Sequence, residues 1–144
     1  MFKRIDHVEI VTDRPEQTVD FYTNVLGFRV KGRQRIERSH LGCPLDLVYL
    51  DLGGTMVEVM SYEGASLDAP PAGERLGYRM MALEVDDMRR TIDELAGKGV
   101  AIVWGPIVRE TYARAEIRDP NGFNIELRQW FDRCAPLSPD AAAE

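Results

Sequence analysis

One strand-and-helix pattern is written twice in this chain, and that repeat limits what it can fold into more than any other feature. Ile5-Asp-His-Val-Glu-Ile-Val-Thr-Asp-Arg14 and Tyr78-Arg-Met-Met-Ala-Leu-Glu-Val-Asp-Asp87 both read as a half-buried strand running into a helix start. In the helices that follow, Thr18-Val19-Asp20 matches Thr91-Ile92-Asp93, an offset of 73 residues, which sets His7 against Met80. The later halves match too. Leu52-Gly-Gly-Thr-Met-Val-Glu58-Val and Pro120-Asn-Gly-Phe-Asn-Ile-Glu126-Leu each read as strand, turn, strand, and Glu58 meets Glu126 at an offset of 68. The five-residue difference places extra residues between helix and last hairpin of the first copy, within Gly32–Pro44.

Each copy therefore reads as strand, helix and three strands, over about 2–62 and 76–130. In the first helix, Asp13 precedes Pro15 and Glu16, a cap with proline in the first turn; Val19, Tyr22 and Leu26 share a face, and Gly27 ends the run. In the second, Asp86 or Asp87 caps a helix whose Met88, Ile92 and Leu95 share a face. Asn121-Gly122 is the expected hairpin turn of the second copy. Tyr62–Arg75, with Pro70-Pro71, reads as the linker between modules, and 132–144 as a flexible tail. The expectation is one domain over 1–131.

Glu58 and Glu126 sit mid-strand among apolar neighbours, where glutamate is a poor strand former and costly to bury alone. Side chains alternate along a strand, so Val57 and Val59 point one way and Glu58 the other. If helices cover the valine face, the two carboxylates face the opposite side and need a cation or protons. His7 is also mid-strand. His7, Glu58 and Glu126 together form a candidate site for Zn, Ni, Co, Mn or Fe. Met80 is a soft, neutral substitute for the second imidazole. The fourth corner is then empty, filled by water or substrate, or the site is no longer metallated.

Composition narrows the partners. Aspartate and glutamate number 24 against 18 lysine and arginine, for a net charge of −6, which disfavours a nucleic-acid partner. No apolar run approaches membrane-spanning length, and the N-terminus lacks a signal-peptide core. Cys43 and Cys134 are isolated, which points to a reduced, cytoplasmic protein without a zinc-finger motif. Lys31, Arg33, Arg35 and Arg38 make a local basic patch, either an anion receiver or the charged guard of an edge strand.

Asp6-His-Val-Glu-Ile, Asp20-Phe-Tyr-Thr-Asn-Val-Leu-Gly-Phe28, Ala82-Leu-Glu-Val-Asp-Asp87 and Arg118-Asp-Pro-Asn-Gly-Phe-Asn-Ile-Glu126 resemble the vicinal oxygen chelate superfamily, across about residues 4–130. That superfamily includes glyoxalase I, methylmalonyl-CoA epimerase, extradiol dioxygenases, and fosfomycin- and bleomycin-resistance proteins. The resemblance implies an α+β fold in which two βαβββ modules form a cupped, mostly antiparallel mixed sheet around a divalent metal. It implies ligands at the positions of His7, Glu58, Met80 and Glu126, so Met80 departs from the pattern. Extradiol dioxygenases have a second histidine at the Met80 position, which counts against ring cleavage.

The function this implies is a glyoxalase I- or epimerase-like isomerase or lyase. Its small substrate would chelate through adjacent oxygens and pass through an enediolate-type intermediate, with Glu126 and Glu58 as catalytic proton carriers. Met80, Met56, Trp104 and Arg114 are candidates for the substrate pocket, and a homodimer is implied, with Phe2, Trp130 and Phe131 available for contact. The alternative is a metal-free protein that sequesters a small molecule in the same place. A third reading is a non-haem iron oxygenase.

Overall fold

The computed structural model describes residues 3–69, 73 and 76–133. Phe2, the Pro70-Pro71 pair, Cys134 and most of the expected tail lie outside the described residues. The chain divides into two compact units, Met1–Pro71 and Ala72–Glu144, each holding one module. No helix among the described residues is long and apolar enough to cross a membrane.

The first unit runs β1 (His7–Val11), α1 (Pro15–Asp20, continuing as a π-helical turn over Phe21–Val25), β2 (Arg29–Ile36), β3 (Leu45–Leu52) and β4 (Thr55–Tyr62). Its sheet has the order β1-β4-β3-β2, with β1 parallel to β4 and the other pairs antiparallel. The second unit repeats this with β5 (Met81–Glu84), α2 (Met88–Gly97), β6 (Ile102–Val108), β7 (Tyr112–Arg118) and β8 (Asn124–Trp130), in the order β5-β8-β7-β6. The two mixed four-stranded sheets and two short helices are the α+β, two-module arrangement that the repeat predicts.

Register confirms the repeat residue by residue. Glu9 lies opposite Glu58 in the β1–β4 pair, and Ala82 lies opposite Glu126 in the β5–β8 pair, at the same two offsets. The extra residues of the first copy fall where expected: β2 and β3 are joined by 37–44, whereas β6 and β7 are joined by 109–111.

Alternation sorts each sheet into two faces. In the first unit Ile10, Val48, Leu50, Val57 and Val59 make the apolar face, all buried, and Thr18, Val19 and Tyr22 of the helical segment are buried with them. Tyr22 is sealed by edge-on contacts with Phe21 and Phe28, which explains the aromatic spacing of the DFYTNVLGF segment. In the second unit Ala113, Ala115, Ile117, Ile125 and Leu127 form the equivalent face, and Met88 and Leu95 of α2 are buried too. The opposite face of the first sheet carries His7, Glu9 and Glu58 together with Leu47, Tyr49, Met56 and Met60, and that of the second carries Arg114, Glu116, Glu126 and Arg128.

Two local expectations need correction and one is narrowed. Asp13 does not cap α1; the Thr12 hydroxyl accepts from the Arg14 amide at 2.9 Å, and the Thr18 hydroxyl donates to the Arg14 carbonyl. At α2 the ambiguity resolves to Asp87, whose carboxylate accepts from the Arg90 amide at 2.9 Å. The β7–β8 turn is not a two-residue Asn-Gly turn. Asp119 accepts from the Asn121 and Phe123 amides, and of these residues only Gly122 has a positive φ.

Gly105 is where backbone conformation sets the shape of the second sheet. It has φ +80° inside a bulged stretch of β6, and a Cβ there would lie 2.9 Å from the Arg114 carbonyl oxygen. The Ala115 Cα and the Ile107 amide nitrogen are nearly as close, and all three are backbone atoms that cannot swing away. Gly105→Ala is therefore expected to destabilise the protein by about 2–3 kcal/mol, read as a lower urea midpoint with an unchanged slope. A midpoint equal to wild type would show that this close approach relaxes freely.

Candidate metal centre

Parallel pairing of β1 with β4 puts His7, Glu9, Met56 and Glu58 on one face of the first sheet. His7 Nε2 lies 3.5 Å from Glu58 Oε2 and 3.5 Å from Glu9 Oε1. One ligand atom from each of the three residues falls within a 4.8 Å span. Two donors each about 2.1 Å from a tetrahedral ion stand about 3.4 Å apart, so this spacing suits a divalent transition metal. The other ring nitrogen, Nδ1, is hydrogen-bonded to Asp6 Oδ2 at 3.1 Å, which turns Nε2 toward the two glutamates.

Glu58 is buried, at 9% exposure, and among the described residues no lysine or arginine pairs with it. His7 is its ion-pair partner, and that nitrogen is charged only when protonated. The hydrogen bond that His7 donates to Asp6 is the main influence that raises the His7 pKa above its ordinary value, with Glu9 and the charge of Glu58 adding to it. Asp6 is lowered by the same hydrogen bond. Tyr49, opposite Glu58 on β3, is raised by burial and by that carboxylate's charge, and its hydroxyl donates to Gln34 at 2.9 Å.

The raised pKa fixes a sign. Protonated His7 is favoured in the folded metal-free protein, so its contribution is complete below about pH 6.5 and fades as pH rises through the elevated value. A metal must displace that proton. Metal affinity is therefore expected to fall with pH starting above the ordinary histidine range, with proton release visible as a buffer-dependent calorimetric heat. Affinity flat from pH 8 to pH 6 would exclude His7 as a ligand.

The counterpart positions of the second unit are occupied differently. Glu126 is gripped by Arg128, whose Nε and Nη2 both donate to Oε1 at 2.7 and 2.6 Å. Glu116, opposite it on β7, accepts from Arg79 at 3.0 Å and from Asn124 at 3.2 Å. Met80 is half-buried just before β5, and Arg79 Nη1 lies 3.2 Å from its sulfur. Trp104 carries the Arg114 guanidinium 4.5 Å above its ring centre.

Of the basic patch, Arg35 is consumed by Asp46, Glu63 and Glu37, two of which are distant in sequence. Its guanidinium serves as a cross-strand clamp. The sequence pointed to His7 and Glu58 and passed over Glu9, although Glu9 stands two residues from His7 and so shares its strand face. The same parity puts Arg128, two residues after Glu126, on the face of that glutamate. Trp130 is half-buried and Phe131 is 49% exposed.

Comparison with known proteins shows what the fold resembles. Two lactoylglutathione lyases of Neisseria meningitidis are each 25% identical over 128 residues, covering 88% of this chain and 90% of theirs. A glyoxalase family protein from Bacillus cereus superposes with a TM-score of 0.79 at 21% identity, over 92% of this chain and 97% of that one. Another from Enterococcus faecalis gives 0.72 at 26% identity, over 88% and 98%. Residues 4–127 match the profile of the Glyoxalase/Bleomycin resistance protein/Dioxygenase superfamily, and the chain belongs to that superfamily.

Proposed function

We propose that this chain is a divalent-metal-dependent isomerase or lyase, of glyoxalase I or epimerase type, acting on a small substrate that offers two adjacent oxygens. The observation that carries the reading is Glu58, a buried carboxylate with a histidine nitrogen 3.5 Å away and, among the described residues, no lysine or arginine paired with it. Such a group is expensive unless a cation or proton completes it. The weak similarity to lactoylglutathione lyases supports the same class.

His7, Glu58 and Glu9 would hold the ion, and Glu126 is retained as a further ligand on its repeat position. When bound, a divalent ion supplies Lewis-acid stabilisation of negative charge on substrate oxygen. The chain's part is to orient His7 through Asp6 and to carry a proton on a glutamate between adjacent carbons of the substrate. Glu58 and Glu126 are the residues assigned to that transfer. Met56, on the same strand face as Glu58, and Met80 serve as walls. A homodimer belongs to this reading as well.

One observation favours the metal-free binding alternative: Glu126 already has a two-point arginine partner and needs no cation. Solvent deuterium incorporation next to the carbonyl of a methylglyoxal–glutathione adduct, and of simple 2-oxo acids, separates the two. Exchange that appears only after loading with Zn, Ni, Co, Mn or Fe supports the enzyme. Tight binding of such compounds by chelator-treated protein, with no exchange under any loading, would establish the sequestering role.

A further inference from the structure

On the polar face of the second sheet each acid has a basic partner, and of the remaining arginines the exposed Arg118 donates to the Asn124 side chain while the half-buried Arg114 does not meet an acid among the described residues. Glu116 has Arg79, Glu126 has Arg128, and Glu84 has Arg133. Arg114 stands directly across from Arg128 in the β7–β8 pair, where like charges oppose each other. Arg128 is neutralised by Glu126. Arg114 has no acidic partner among the described residues; its contact is the Trp104 ring, 4.5 Å from the guanidinium carbon.

Aromatic surface surrounds these two guanidiniums. Arg128 lies 4.5 Å from the Tyr112 ring centre and 5.0 Å from that of Trp130, and those two rings meet edge-on at 5.9 Å. Stacking on rings holds a guanidinium flat and leaves its N–H edge free to donate. The bulge at Gly105 brings the β6 backbone against Arg114 at the level of Trp104, which fixes this corner. In a chain of net charge −6, a half-buried arginine that lacks an acid is a vacancy for an anion.

We propose that Arg114, supported by Arg128 and walled by Trp104, Tyr112 and Trp130, is an anion subsite for the carboxylate of a small organic acid with an apolar or aromatic body. The surplus at this spot is one positive charge, which matches a monoanionic carboxylate better than a dianionic phosphate. The planar fork of an arginine also fits the planar carboxylate in two-point fashion. The rings supply the wall for the acid's carbon skeleton. The inference stands on the second unit alone. It adds a requirement to the proposed function, that the substrate carries a carboxylate, without depending on the metal.

The protein reports on this subsite by itself. It has two tryptophans, Trp104 and Trp130, and both belong to it. Tryptophan fluorescence of the chelator-treated protein, titrated with phenylacetate and in parallel with neutral phenylacetamide, isolates the charge term. Phenylacetate is expected to give saturable quenching, weakened by added sodium chloride. Phenylacetamide is expected to bind at least tenfold more weakly, and Arg114→Met to lose at least tenfold for phenylacetate with little change for the amide. Arg114→Lys keeps charge but loses the fork, and an intermediate affinity is expected.

Equal binding of acid and amide by the wild type would overturn the proposal without reference to any variant. So would unchanged phenylacetate binding by Arg114→Met, or displacement of phenylacetate by inorganic phosphate at lower concentration. Because the titration uses metal-free protein, a negative result leaves the metal reading intact, and absence of metal binding leaves this subsite intact.

Discussion

Glu58→Gln is expected to reduce divalent-metal affinity by about a hundredfold or more while leaving the metal-free fold within about 1 kcal/mol of wild type. Glutamine has the same shape but cannot supply an anionic oxygen. It also removes a buried charge whose one ion-pair partner among the described residues is His7, so the folded protein loses little and avoids the desolvation of a carboxylate. Calorimetric titration with zinc or nickel, paired with urea unfolding in chelator, reads both quantities. Unchanged metal affinity would remove Glu58 from the site. A loss of several kcal/mol in chelator would instead make Glu58 a structural ion-pair residue.

Arg128→Met is the second large effect, and it tests the role of Glu126. The Glu126–Arg128 pair is nearly buried, with side-chain exposures of 13% and 19%. Removing the arginine strands a carboxylate. Breaking a pair in that setting is expected to destabilise the metal-free protein by about 2 kcal/mol, a melting-temperature drop of roughly 6–8 °C. If Glu126 ligates, saturating zinc restores more stability to the variant than it adds to wild type, because the ion gives the stranded carboxylate a partner. An equal gain in both proteins would take Glu126 out of the ligand set.

Much of the fold was legible because a repeat carries its own internal check. The two offsets located the extra loop between helix and last hairpin, and period-two alternation assigned Val57 and Val59 to one face and Glu58 to the other. What stayed hidden depends on which residue lies across from which. Glu9 is an exposed strand acid, and what ties it to the site is the parallel pairing of β1 with β4, which sets it opposite Glu58. Arg128 looks like a surface charge until its fork closes on Glu126. The basic run from Lys31 to Arg38 invites an anion in the sequence, yet Arg35 finds Asp46 and Glu63 from distant segments. The helix starts at Pro15 as the sequence reads, and only its cap differs, for a smaller reason. Asp13 has the right chemistry, but the Thr12 hydroxyl has the better geometry for the Arg14 amide.

The most direct test of a metal-centred function is elemental analysis of protein purified with neither added metal nor chelator, alongside Glu58→Gln prepared identically. About one Zn, Ni, Co, Mn or Fe per chain in the wild type, and a small fraction of that in the variant, is the expected result for a site built on His7 and Glu58. Metal-free wild-type protein that is fully folded and takes up none of these ions on titration would contradict it.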